Sequence, residues 1–266
     1  MNETLTRTLS GIVYIAILVT ATLFLPSFLL LFGIFLIITV AEFCELIHIK
    51  RFVPIAIAIA AYLLLTFVPL NQNNQWLLLA ATLFVSIKCM VFLFGKNQRP
   101  LDLLSKYVYL IGYVILPIVL ITKIPLITTD YNCKTIISIF ILIWANDTFA
   151  FVVGKSIGKH KLFERISPKK TIEGFLGGLI FALIFSVLIA KYFIFEPVFL
   201  WIGISLVVSI FGTIGDLVES KFKRLAGVKD SGKIMPGHGG ILDRLDSIIF
   251  VAPFVFLLYQ ILNYVS

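Results

Sequence analysis

Charge is scarce in this sequence: only 14% of its 266 residues are Asp, Glu, Lys or Arg, against roughly 25% in an ordinary soluble domain. Its three cysteines, Cys44, Cys89 and Cys133, are scattered and odd in number. They form neither a disulfide framework nor a zinc motif and read as small apolar packing groups. No Ser-His-Asp arrangement is apparent, and no long polar domain, low-complexity linker or internal repeat interrupts the chain. The first apolar run lacks a small-x-small cleavage site and has only Arg7 before it, so it is expected to be a retained span, not a cleaved signal peptide.

Apolar residues are abundant, at 60% of the chain. A bilayer core about 30 Å thick needs roughly 20 mostly apolar residues per helix. Nine stretches approach that length, near 9–25, 27–47, 53–70, 75–95, 106–126, 134–153, 172–190, 195–216 and 247–265. The expected fold is therefore an all-α, polytopic integral membrane bundle of about nine transmembrane helices. A single membrane domain is expected over 1–266, with amino-terminal spans at about 9–126 and a carboxyl-terminal catalytic half at about 134–266.

Nine spans place the connections on alternate sides, which the basic residues test. One side receives Arg7, then Lys50 and Arg51, then Lys96, Arg99 and Lys106, then the groups between Lys155 and Lys170 and between Lys221 and Arg244. The other receives only Lys123, Lys134 and Lys191. The positive-inside rule makes the rich side, and with it the amino terminus, cytoplasmic. This asymmetry accounts for the net charge of +8 without nucleic acid, because the cations face anionic headgroups or anionic substrates.

Ionisable groups within spans normally mark a cavity or a functional path. Asp147 stands inside the sixth span, and Lys88, midway along the fourth, reads as a packing or pairing group. Asp216 and Glu219 are three residues apart at the end of the eighth span, and Asp243 and Asp246 have the same spacing at the start of the ninth, so each pair shares a helix face. Such carboxylates can hold a hard divalent cation. Helix-end electrostatics alone would explain Asp243 and Asp246, but not Asp216 near a carboxyl-terminal end.

Between these pairs, Lys221, Lys223, Arg224, Lys229 and Lys233 could neutralise phosphates, and Arg224 or Arg244 could grip two oxygens in a fork. Gly237, Gly239 and Gly240 would let backbone amides approach an anion, and His238 could bond a phosphate or serve structurally. Before the seventh span, Ser167 is expected to cap a helix with Pro168 in its first turn and Glu173 near its amino-terminal end, and Lys169, Lys170 and Thr171 there form an anion site. Gly154-Lys155-Ser156 lacks the glycine spacing of a nucleotide-binding P-loop.

The run from Ser220 to Asp246, with Ser-x-x-Lys-Arg, Lys229-Asp230, Pro236-Gly237-His238-Gly239-Gly240 and Asp243-Arg244-Leu245-Asp246, closely resembles the signature of the CDP-diacylglycerol synthase family, also called phosphatidate cytidylyltransferases. A second similar stretch runs from Asn146-Asp147 through Gly154 and Gly158-Lys159 to Ser167–Gly174, with Ile172 where the family often has Trp. The resemblance covers the carboxyl-terminal half. It implies transfer of cytidylyl from CTP to phosphatidate, with Mg2+ required. It puts Asp216, Asp243 and Asp246 at the metal, with Lys223 and Arg224 beside them as catalytic groups. Ser167, Lys169, Lys170, Thr171, Glu173, Lys229, His238 and Arg244 are implied around the substrate. The expected partners are CTP, phosphatidate, membrane lipids and, from the resemblance alone, a second copy in a homodimer. The expected location is a bacterial inner (cell) membrane with the site facing the cytoplasm. A transporter would also bury charges, and a CTP-dependent lipid-alcohol kinase would also join nucleotide to lipid. The Asp-Gly-x-x-Ala-Arg run of alcohol phosphatidyltransferases is missing.

Overall fold

The computed structural model describes residues 3–95, 101–127 and 130–265. Lys96 and Arg99 lie outside the described residues. The chain builds α1 (Glu3–Thr22), α2 (Leu25–Leu46), α3 (Phe52–Phe67), α4 (Gln72–Phe94), α5 (Leu103–Tyr109), α6 (Leu116–Lys123), α7 (Cys133–Ile157), β1 (Lys161–Phe163), β2 (Ser167–Thr171), α8 (Ile172–Ile189), α9 (Val198–Leu225) and α10 (Leu242–Val265). A π turn over Leu110–Ile115 joins α5 to α6, so Leu103–Leu126 acts as one rod, and a second π turn extends α8 to Ile194. Among the described residues, eight helices are long and apolar enough to cross a membrane, and α3 is a shorter apolar helix. The protein is an integral membrane helical bundle.

Contacts at the ends of the rods show the alternation. At one end, Ser10 of α1 bonds the Pro236 carbonyl, Lys106 reaches the His48 carbonyl, and Arg165 in the β1–β2 turn reaches the Gly95 carbonyl at 2.9 Å. Lys221 of α9 also donates to Gly95 at 2.9 Å. At the other end, Tyr131 bonds the Thr22 carbonyl, Lys123 the Thr66 carbonyl, and Lys134 the Phe193 carbonyl. Every described basic connection assigned to the rich side thus lies at one end, and α3 must cross to keep that order.

The helices start where short polar side chains cap them. Asn71 accepts from the Asn74 amide ahead of α4, and Asn132 from the Lys134 amide ahead of α7. Small residues bring α7 and α8 together. A Cβ on Gly178 would lie 2.6 Å from the Asn146 carbonyl oxygen, and one on Gly174 2.7 Å from that of Ala150; without them the backbones meet directly.

Two expectations need correction. Ser167 does not cap a helix: it opens β2, which pairs antiparallel with β1, and Thr171 caps α8 by accepting from the Gly174 amide. Asp216 is not near a helix terminus either, since α9 continues to Leu225. The extension is anchored by Phe222, whose ring packs against Phe43, Phe92, Tyr109 and Tyr113. At 1.5 Å per residue α9 is about 42 Å long and Asp216 lies about 27 Å from its start, close to the far edge of a hydrocarbon layer about 30 Å thick.

Candidate functional site

The polar end is assembled on α9 and α10. Gly215 lets them touch: a Cβ there would stand 2.6 Å from the Phe250 Cβ and 2.7 Å from the Asp246 carbonyl oxygen. Asp216, Glu219 and Lys223 recur along one side of α9, while Asp243 and Asp246 face them from the first turns of α10. Oxygens of Asp216, Glu219 and Asp246 all lie within 4.8 Å of one another. Such crowding of like charge in a partly buried site requires cations beside it. Lys170 of β2 pairs with Asp216, and Lys223 lies 2.5 Å from Glu219 and 2.6 Å from Asp243. Burial disfavours the Lys170 ammonium, but Asp216 and, behind it, Asp147 and Asp246 outweigh that penalty and hold its pKa above the ordinary lysine value.

The loop between α9 and α10 is held by two carboxylates. Asp243 accepts from the Ser231 amide at 2.8 Å, the Gly240 amide at 2.7 Å and the Ser231 hydroxyl at 2.9 Å. Glu42 of α2, buried at 5% exposure, accepts from the amides of Ile241 at 3.1 Å and Leu242 at 2.8 Å. Its second oxygen also takes the Ser231 hydroxyl. Glu42 therefore caps α10 from another helix, satisfying amides that a helix start leaves without internal partners. Gly239, at φ +82°, turns the chain into the left-handed region beside Asp243, where a Cβ would meet the Asp243 carboxylate at 2.4 Å.

A basin of about 670 Å³ opens above this cluster. Its walls include Asp147, Lys155, Lys161, Lys169, Lys170, Asp216, Lys223, Arg244 and Asp246. Asp147 sits beside Asn146, whose amide donates to it at 3.3 Å. Lys155 and Lys161, which count toward the positive-inside asymmetry, also face the basin. Glu42 carries the same kind of sequence signal as Asp147, an acid within a largely apolar run.

The other expected site residues are placed as follows. Arg224 is exposed and donates to the Val228 carbonyl at 3.0 Å, outside the basin walls. Lys229 lines a separate groove of about 920 Å³ against α2 and α3. Glu173 turns back onto the Lys159 and His160 amides and the His160 ring, closing the base of the hairpin. Ser167 and Thr171 support the hairpin and α8, though Thr171 also reaches the basin wall. His238 bonds Ser10 at 2.8 Å. Burial first, then the charges of Arg244 and Arg7, hold its pKa below the ordinary imidazole value. Lys88 lies 6.0 Å from the Phe84 ring centroid.

The cluster fits a hard divalent cation. Asp216, Glu219 and Asp246 offer only oxygen ligands, and the buried Glu219 has an ion pair but no hydrogen bond to either oxygen. The geometry groups Glu219 with Asp216 and Asp246; Lys223 bridges Glu219 and Asp243, and the Asp243 carboxylate alone is also taken by the loop.

A membrane bundle that gathers carboxylates, lysines and an arginine in one basin at its polar end has the kind of charged cavity that marks a functional site. A sequence model of the Cytidylyltransferase family matches residues 5–262. The chain belongs to that family. Among curated relatives, it is 53% identical over 128 residues to a phosphatidate cytidylyltransferase of Staphylococcus aureus, covering 47% of this chain and 49% of that one. It is 54% identical over 115 residues to the enzyme of that name from Staphylococcus haemolyticus, covering 43% and 44%. For the one from Staphylococcus saprophyticus the identity is 50% over 137 residues, covering 50% and 52%. The chain thus matches about half the length of these relatives.

Proposed function

We propose that this protein transfers the cytidylyl group of CTP to phosphatidate, giving CDP-diacylglycerol and diphosphate, at a site facing the cytoplasm of a bacterial cell. The observation that carries the proposal is the basin itself, in which Lys169, Lys170, Lys223 and Arg244 surround a carboxylate cluster at the lipid boundary. Family membership and the printed names of the relatives support it. The gathering of basic connections at one end supports the orientation.

An oxygen of the lipid phosphate attacks the α-phosphorus of CTP. The bond from that phosphorus to the β-bridging oxygen breaks, and its electron pair leaves with diphosphate. The nucleophile is already ionised near neutral pH, so no general base is required. Positioning and charge stabilisation remain. Lys170 and Lys223 are fixed by their ion pairs, and Lys155, Lys161 and Lys169 add charge for a triphosphate. Arg244 offers its fork to phosphate oxygens. Magnesium held by Asp216, Glu219 and Asp246 would supply Lewis-acid stabilisation of the triphosphate.

The test uses purified protein with phosphatidate, magnesium and CTP labelled either in cytidine or in the γ-phosphate. Cytidine label should enter lipid and γ-label should leave as diphosphate. Entry of γ-label into lipid would establish a kinase instead.

A further inference from the structure

The carboxylate cluster is open from two directions. Besides the large basin, a second cavity of about 220 Å³ lies between α1, α7 and α10 and shares Asp147, Asp243, Arg244, Asp246 and Ser247 with it. The two spaces differ in character away from that common wall. The basin continues into Lys155, Lys161 and Lys169, whereas the second cavity continues into Ile15, Phe140, Ile143 and Trp144. The α1 wall meets the bilayer, with Ile12, Val13, Ile15 and Ile17 exposed.

Tyr14 of α1 also lines this cavity, and its hydroxyl is buried without a hydrogen-bond partner. A buried hydroxyl left unpaired is costly, and such a group calls for a ligand or a functional reason. Beside it, His238 is held against α1 by Ser10. Gly11 lines the same cavity, and a Cβ there would make ordinary van der Waals contact with the His238 ring at 3.5 Å.

We propose that this second cavity is the port for the lipid substrate, in which Tyr14 donates its hydroxyl to the lipid phosphate and Arg244 holds that phosphate on the wall shared with the CTP basin. The inference rests on the cytidylyl-transfer reading and adds to it a separate route and a binding residue for one substrate. Two anions must meet at one centre without displacing each other, and two openings of unlike polarity meet that need. The apolar flank of the port accommodates acyl chains arriving from the bilayer, while the lysine-lined basin stays open to the aqueous phase.

The test combines kinetics with binding that does not depend on turnover. Tyr14→Phe removes only the hydroxyl and should raise the KM for phosphatidate about tenfold, the loss expected for one hydrogen bond to a charged group, with the KM for CTP unchanged. Gly11→Leu should fill the port and raise the same constant at least as far. In nanodiscs, phosphatidate with brominated chains should quench Trp144 fluorescence, taken as wild type minus Trp144→Phe, more than brominated phosphatidylcholine does, and Tyr14→Phe should weaken that preference. A rise in the KM for CTP, or no change in either KM, would overturn the port. Quenching with no preference for phosphatidate would also overturn it. If wild-type protein transfers no cytidylyl group yet the quenching preference is present, the reaction assignment fails while the lipid port stands.

Discussion

Glu42→Gln isolates the device that positions α10. One Glu42 oxygen accepts from the Ile241 amide, while the other accepts from the Leu242 amide and the Ser231 hydroxyl. Glutamine keeps one acceptor and turns an NH2 group toward donors that then lose their partner. A hydrogen bond to a charged group contributes about 1.5–3 kcal/mol net, with a similar cost for leaving a buried donor unsatisfied. A loss of about 2–3 kcal/mol in local stability is therefore expected, which at 1.4 kcal/mol per tenfold corresponds to roughly 30- to 150-fold. Hydrogen–deuterium exchange of a peptide containing Ile241 and Leu242 should accelerate by that factor, because these amides would open locally ahead of the rest of the bundle. Cytidylyl transfer should fall along with it, since Asp243 and Asp246 sit in the first turns of the loosened helix. Exchange at wild-type rate in a folded Glu42→Gln protein would refute the capping argument, and full activity with faster exchange would refute the link from cap to site.

Two further predictions concern packing and pH. Gly215→Ala forces α9 away from α10 at the Phe250 Cβ and the Asp246 carbonyl. It should cost about 1–3 kcal/mol, as for overpacked cores, with transfer reduced more than tenfold in a protein that still inserts. His238 has a folded-state pKa below the usual imidazole value of 6.5 because burial and two arginines disfavour its charge. Its contribution to stability is therefore present above pH 6.5 and is lost as pH falls through the depressed folded value. The melting difference between wild type and His238→Gln should shrink from pH 7.5 to pH 5.5, whereas a widening difference would reverse the assignment.

Much of the fold was legible because bilayer physics imposes a length and a polarity on each span. The nine apolar stretches correspond to α1 through α10, with α5 and α6 forming one rod. The ends of the site helices were harder to read. Hydropathy falls away at Asp216, but helical hydrogen bonding continues to Leu225 because Phe222 still finds an aromatic pocket and ion pairs neutralise the charges. The β hairpin escaped notice because Ser167 and Pro168 resemble a helix start, and pairing between Lys161 and Thr171 is a tertiary fact.

Within the site, the spacing of Asp216, Glu219, Asp243 and Asp246 announced shared helix faces. It could not show that Lys223 would bridge Glu219 and Asp243, or that Glu219 would also lie within reach of Asp216 and Asp246. Order in the motif also did not distinguish Lys170, turned onto Asp216, from Arg224, which faces outward to Val228. The contributions of Glu42 and Tyr14 come from amino-terminal helices that pack against the loop and α10 only once the bundle closes.

The most direct test of the account is incorporation of cytidine-labelled CTP into phosphatidate by purified wild-type protein, Asp246→Asn and Arg224→Gln side by side. Wild type should label the lipid, Asp246→Asn should lose transfer by at least a thousandfold while remaining folded and membrane-inserted, and Arg224→Gln should retain most of it. The account is contradicted if Asp246→Asn keeps near-normal transfer, because the carboxylate cluster would then not be where the two substrates react.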